Sequence, residues 1–242
     1  MKAANAVIVV LLSLVALRAS ALPLGNGYDL SLELTAINDY RSKGISQTLG
    51  DPAAQAGATL STPFGLYAGV WGSSVDFGEG TQTRFEQDFY AGWYVPLSDD
   101  LSFDLGYIKY VYPKDSLFNQ TATYGRLKFH GLELTAAYSD DLLGNQSNLY
   151  SYVAYELPLN EKTHLNLRYG LMDYKDDIIQ SSSGKGRSRY DEWEVRLYRD
   201  YAGLTWSAGL VGTDLSRTEC QSLTGYDDLC SANVLIGVSK SF

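Results

Sequence analysis

The chain closes on LIGVSKSF, residues 235–242, an alternating stretch whose last side chain is a phenylalanine ring. Val234, Ile236, Val238 and Phe242 fall on one face, and Asn233, Gly237, Ser239 and Ser241 on the other. That is the period of a β-strand with one apolar face. Chain ends fray in water unless they are tied down, so a strand running to the final residue needs a partner that holds it. Lys240 breaks the pattern, but its long stem lets the ammonium snorkel to a polar boundary.

The same alternation runs through the whole chain after residue 21. Tyr28, Leu30, Leu32, Leu34 and Ala36 oppose Asp29, Ser31, Glu33 and Thr35; Phe85, Phe89, Ala91, Trp93 and Val95 oppose Arg84, Glu86, Asp88, Tyr90 and Tyr94. Leu165, Leu167, Tyr169 and Leu171 alternate with His164, Asn166, Arg168 and Gly170. With Gly, Pro, Asn and Asp as breakers, about twelve strands are predicted, near 27–37, 53–62, 66–77, 83–96, 101–112, 123–129, 132–139, 148–157, 163–174, 190–199, 204–213 and 231–242. Their connections alternate between short turns and longer polar loops, the latter near 38–52, 78–82, 113–122, 140–147, 175–189 and 214–230. The break at His130-Gly131 decides the parity, since without it the count is eleven and the chain ends fall on opposite sides.

Residues 1–21 read differently. Met1 and Lys2 precede the apolar run AVIVVLLSLVAL (6–17) and then Ala19-Ser20-Ala21, the pattern of a cleaved export signal. The apolar run is too short to span a bilayer core of about 30 Å. The mature domain is then 22–242, of a size for one barrel or one sandwich. Net charge is −9, and loss of Lys2 and Arg18 makes it −11; an acidic surface argues against nucleic acid as a partner. Cys220 and Cys230 are the only cysteines, and in an exported protein they are expected to close a disulfide.

An even number of alternating strands, short turns at one end and long loops at the other is the pattern of a transmembrane antiparallel up-and-down β-barrel. A soluble sandwich also alternates, but its inner faces favour aliphatic residues. Here 19 Tyr and 4 Trp accompany few lysines on the polar face, and aromatics gather toward strand ends as membrane girdles require. A barrel must pair its last strand with its first, because lipid satisfies no peptide groups; that is what holds LIGVSKSF. Twelve strands about 4.8 Å apart and tilted near 40° give a backbone radius of about 12 Å. The inward positions supply Glu33, Glu86, Asp88, Asp104, Glu133, Glu156, Glu192 and Glu194 against Arg84, Arg126, Lys128, Arg168 and Arg196. Eight acids against five bases lead to an expectation of a weakly cation-selective channel for ions or small solutes. If ion pairs close the lumen, the alternative is a structural barrel or a binder that works through its outer loops. Asp76 is expected opposite Arg84, and Arg168 near Glu194 or Arg196.

A terminal Phe242 after alternating apolar residues resembles the signal that outer-membrane proteins present to the barrel-assembly machinery. LTAINDYRSKGISQTLGDPAAQAG (34–57), GLYAGVWGSSVDF (65–77) and DFYAGWYVPLSDDLSFDLGYIKYVYP (88–113) resemble the TorF-type porins. That resemblance covers essentially the mature chain and implies a Gram-negative outer-membrane location, lipid as surroundings and a porin role. It carries over no substrate, cofactor, metal or catalytic residue. Its signature NDYRSKGISQ, Asn38 to Gln47, falls at the outer mouth after the first strand. Gly44 marks a turn there that a side chain would obstruct, and Asp39 and Arg41 either pair or meet solute.

Enzymatic chemistry is not expected. Nucleophilic hydrolysis needs a base beside the nucleophile, and the only histidines, His130 and His164, fall beside periplasmic turns. SSSGKGRSR (181–189) lacks the spacing of a phosphate-binding loop and reads as a mobile outer loop.

Overall fold

The computed structural model describes residues 21–242, so the export signal expected over 1–21 lies, but for Ala21, outside the described residues. Among these residues twelve long strands form a closed antiparallel barrel: β1 Tyr28–Ile37, β2 Ala53–Ser61, β3 Leu66–Ser74, β4 Phe85–Pro96, β5 Leu101–Val111, β6 Gln120–Phe129, β7 Leu132–Leu142, β8 Gln146–Asn160, β9 Thr163–Asp173, β10 Arg189–Tyr201, β11 Leu204–Thr213 and β12 Asn233–Ser241. Each strand pairs with its neighbours in sequence, and β12 closes on β1 with Gly237 opposite Ile37 and Ser241 opposite Glu33.

Phe242 completes that seam. Its amide donates to the Leu32 carbonyl at 2.9 Å and its carbonyl accepts from the Leu32 amide at 3.1 Å. Below this point β12 has no residues left, and a short strand not expected from the sequence, Leu22–Gly25, folds back along β1 with Leu22 opposite Leu30. The edge of β1 that would otherwise face lipid is thereby paired. Lys240 points its ammonium at the Gly203 carbonyl, 2.8 Å away in the periplasmic turn between β10 and β11.

Alternation translates directly into two surfaces. Ile236 is 57% exposed while its neighbour Leu235 is 1% exposed, and Leu34, Val70, Phe89, Leu105, Leu134, Val153, Leu167 and Val195 join Ile236 on the outer wall. In water such a continuous apolar belt would drive association; around a closed barrel it is the lipid-facing surface of an outer-membrane protein. Its aromatic margins carry polar handles. Near the periplasmic turns the Trp93 and Trp206 indoles donate to the Phe64 and Tyr201 carbonyls. At the opposite end the Tyr138 and Tyr169 hydroxyls donate to Ser147 and Asp191.

The decisive turn at His130-Gly131 is real. Its residues have φ of 48° and 83°, the two positive values a type I′ hairpin turn needs. Three expectations are corrected. The loop expected over 140–147 is only a short turn, because Asp141 binds the Thr121 amide and hydroxyl and Leu142 pairs with Gln146, extending both strands. SSSGKGRSR belongs to a small hairpin in which Ile179–Gln180 pairs with Gly186–Arg187; Arg187 is tied to Glu219 at 2.8 Å and to Asp214 at 2.7 Å, so the segment is anchored. The last outer loop contains a helix, α1, Arg217–Thr224. Ser216 and Glu219 form a reciprocal capping box at its start, and Gly225 with φ 82° ends it.

Candidate functional site: the barrel interior

The segment Asn38 to Gln47 does not arch away from the barrel; it turns into the mouth. As the chain leaves β1, the Asn38 side chain imitates a strand residue, donating to the Val234 carbonyl and accepting from the Ile236 amide. Asp39 follows, fully buried, and accepts hydrogen bonds from Arg41 at 2.7 Å, Ser46 at 2.6 Å, Thr48 at 3.3 Å and Asn233 at 3.2 Å. Arg41 also donates through Nη1 to the Gly44 and Ser231 carbonyls. Asp39 and Arg41 therefore pair, and a buried pair is tolerable only because its other hydrogen-bonding positions are filled.

Arg41–Ser42 and Ile45–Ser46 form a tiny hairpin around Lys43 and Gly44, whose φ values are 51° and 82°. A Cβ on Gly44 would stand 2.6 Å from Thr213 Cγ2 and 3.0 Å from Glu192 Cβ. Only glycine lets the hairpin tip press against β10 and β11. The Tyr190 hydroxyl donates to the Lys43 carbonyl. Ile45 enters an apolar cluster with Met172, Ile179, Tyr190, Leu215 and Leu229 that includes the Cys220–Cys230 disulfide. Backbone bonds from Ser46 to Leu229 and from Asp76 to Gln47 extend the fastening to two other outer loops. The segment is a plug with its own small core.

Three cavities follow one another through the interior. An outer one of about 430 Å³ lies among Lys43, Phe77, Glu86, Tyr112, Tyr174 and Leu223. A central one of about 700 Å³ lies beneath the hairpin, among Tyr67, Tyr90, Asp104, Tyr124, Arg126 and Asn148. A periplasmic one of about 380 Å³ is bordered by His130, Glu133, Glu156, Asn166 and Tyr198. Ser42, Lys43, Tyr110 and Gln120 border both the outer and central cavities. Tyr152 and Arg168 border both the central and periplasmic ones.

The charged residues expected to line a pore occupy distinct places. Glu33 faces Thr35 on β1. Arg84 lies just before β4 at the outer rim, where it meets Asp76 at 3.6 Å and bonds the Thr81 and Thr83 carbonyls; it is a loop fastener there, because its backbone precedes the strand. Glu86 and Asp88 are buried in the wall beside the plug. Asp104, Arg126, Lys128 and Glu133 form one cluster, with Arg126 at 3.6 Å from Asp104 and 3.3 Å from Glu133, and Lys128 at 3.0 Å from Glu133. Arg168, Glu192, Glu194 and Arg196 form another, with Arg168 bonded to both glutamates and Arg196 to Glu194. Glu156 stands at the periplasmic mouth. Burial lowers the pKa of Lys43, with Glu86 opposing that shift.

Tyrosine is the interior component that sequence reasoning did not single out. Tyr67 and Tyr152 donate to Asp104 and Glu133, Tyr150 donates to Glu192, and Tyr124 and Tyr67 hydroxyls bond each other. Strand parity carried the signal: Tyr124 shares a face with Arg126 and Lys128, and Tyr150 and Tyr152 with Glu156.

The family model described as "Bacterial protein of unknown function (Gcw_chp)" matches residues 23–242. Comparison with curated proteins found no match. Among solved structures, the NanC porin is similar with a TM-score of 0.53 at 15% identity, over 86% of this chain and 98% of NanC. OprD of Pseudomonas aeruginosa gives 0.43 at 11% identity over 93% and 70% of the two chains, and LpxR from Salmonella typhimurium 0.42 at 10% over 88% and 99%. The likeness to NanC is one of fold.

Proposed function

The chain belongs to the Gcw_chp family, and from that premise and the interior geometry we propose that it is a porin-like channel of the Gram-negative outer membrane, passing ions or small solutes by diffusion. The resemblance of residues 34–113 to TorF-type porins supports this reading, and the proposal includes insertion by the barrel-assembly machinery through the Phe242 strand. The observation that carries it is the succession of three cavities along the interior, neighbours sharing Lys43 and Tyr110 and then Tyr152 and Arg168 in their linings. A barrel serving only as scaffold has no need of a charged interior around cavities, since such groups are costly to bury. The reading includes no catalytic step. His130 stands in a turn beside Asp100 and His164 stacks on Tyr198, an arrangement of wall and rim contacts.

Selectivity is where geometry modifies the expectation. Counted along the strands, acids outnumber bases and favour cations weakly. Within the two ion-pair clusters exposure favours the bases: the Arg126 side chain is 35% exposed against 12% for Asp104 and 18% for Glu133, and Arg168 25% against 0% for Glu192 and 7% for Glu194, while Glu33 and Glu156 are exposed acids outside them. In these clusters the short carboxylates lie against the wall and the long guanidinium arms reach into the lumen, so a solute in the central cavity meets positive charge there.

One observation favours the second reading, a barrel closed by its plug and acting through its outer face: the apolar cluster around Ile45 fastens the plug to two long loops. Single-channel recording from purified protein in a planar bilayer decides between them. Discrete steps are expected; their absence, with insertion verified by heat-modifiable migration, would reject the channel.

A further inference from the structure

We propose that the central cavity is a binding site for small organic anions carrying hydroxyl groups, with the carboxylate held by Arg126 and Arg168 and the hydroxyls by Gln120, Asn148 and the surrounding tyrosines. This deepens the channel reading and rests on it for its biological meaning, but binding itself does not require conduction.

Three independent features point to such an occupant. Its basic lining comes first: Arg41, Lys43, Arg126 and Arg168 border the cavity against a single acid, Asp104. Arg41 is spent on Asp39, and Lys43 lies 5.7 Å from the Tyr150 ring. The two arginines that remain stand on either side of Tyr152. Strand register places Arg126 opposite Thr135, Thr135 opposite Tyr152, and Tyr152 opposite Gly170, with Arg168 its diagonal neighbour on the same face.

Unspent hydrogen-bonding capacity comes second. Arg126 is held to the wall by loose ion contacts, Nε at 3.3 Å from Glu133 without hydrogen-bond geometry and Nη1 at 3.6 Å from Asp104. Asn148 Nδ2 and Gln120 Oε1 are likewise buried without partners, and all three residues border this one cavity. An amide donor on Asn148 and an amide acceptor on Gln120, beside a loosely held guanidinium, match a solute offering a carboxylate and hydroxyl groups. A buried polar atom without a partner is unfavourable, so these groups favour a polar occupant.

Preorganisation comes third. Glu192 and Glu194 hold the Arg168 fork from behind, leaving its outer edge toward the cavity. The Tyr124 and Tyr152 rings lie 5.8 and 5.9 Å from the Arg126 and Arg168 guanidinium carbons. Guanidinium planes fixed by stacking and carboxylates lose little entropy when they grip a second carboxylate. A cavity of about 700 Å³ falls within the range that houses such ligands.

The test uses the whole barrel purified in detergent, with gluconate as probe and sorbitol as its uncharged counterpart. Isothermal titration is expected to show saturable gluconate binding and none for sorbitol. Arg126→Gln should weaken gluconate binding about tenfold, the loss of one charge-assisted hydrogen bond, and Arg126→Lys should recover part of it, showing that the barrel is intact. In bilayers, gluconate at constant ionic strength should reduce chloride current where sorbitol does not. Equal responses to gluconate and sorbitol, or gluconate binding untouched by Arg126→Gln, would overturn the proposal. Gluconate binding by a barrel that conducts nothing would reject the channel while leaving the site, so the two failures are distinguishable.

Discussion

Replacing Asp39 by alanine should release the plug while leaving the barrel closed. Asp39 is fully buried and collects four hydrogen-bond donors, one of them the Arg41 guanidinium at 2.7 Å. Removing it strands a positive charge whose side chain is 4% exposed, and breaking a buried pair in this way costs about 3–5 kcal/mol. Arg41 keeps its bonds to Gly44 and Ser231, so the lower end applies, about 3 kcal/mol, or a shift of roughly 150-fold toward a detached plug. The barrel hydrogen bonds are untouched, because Asp39 lies in the loop beyond β1. Detachment merges the outer and central cavities, so single-channel conductance should rise. Trypsin should also begin to cut after Arg41 or Lys43 in protein that still migrates as a folded barrel. Asp39→Asn, which retains an acceptor for Ser46 but not the charge, should fall between. Wild-type conductance together with wild-type resistance to trypsin in Asp39→Ala would refute the claim that this carboxylate anchors the plug.

Deleting Phe242 removes both backbone bonds to Leu32 and should reduce insertion into the outer membrane without reducing export, measured by heat-modifiable migration of membrane fractions. Reducing Cys220–Cys230, which closes a segment with a separation of 10 residues, should cost about 2–3 kcal/mol by the loop-entropy relation; limited proteolysis should then cut between α1 and β12, while unchanged resistance would assign the loop's order to Ile45 and its neighbours alone. Gly44→Ala should resemble Asp39→Ala in conductance, since its Cβ meets Thr213 and Glu192; a wild-type trace would mean the hairpin tip can withdraw without opening the path. The amides of Thr83 and Gln82 hold the Asp115 carboxylate below its usual pKa. A depressed carboxylate stabilises above its unfolded pKa and loses that contribution as pH falls through the folded one. Fastening of the 78–83 loop should therefore persist at neutral pH and fail only in strong acid. Asp115→Asn should speed hydrogen exchange at Gln82 and Thr83 at neutral pH, and unchanged exchange would remove Asp115 from that role.

The sequence by itself determined the barrel. Period-two alternation assigns every residue of a strand to lipid or lumen, and a one-residue slip would move the whole set to the wrong face, so Ile236 outside and Leu235 inside are legible without coordinates. The turn at His130-Gly131 and the strand ending at Phe242 are local signals, and closure follows from the absence of water in lipid. The capping box of α1 was also in plain sight, as Ser216 and Glu219 three apart, but it is a short helix surrounded by loop chemistry. What only tertiary structure decided was the content of the lumen. Asn38 to Gln47 carries the residues of a turn, and nothing local says whether a turn points outward or inward. Its direction comes from contacts made far along the chain: Asp39 with Asn233, Arg41 with Ser231, Gly44 against Thr213, Ile45 among residues of two other loops. Charge follows the same logic. Parity told which acids and bases face inward, whereas the sign a solute meets depends on how far each side chain reaches from a curved wall and on which partner shields it, and both are properties of the closed barrel.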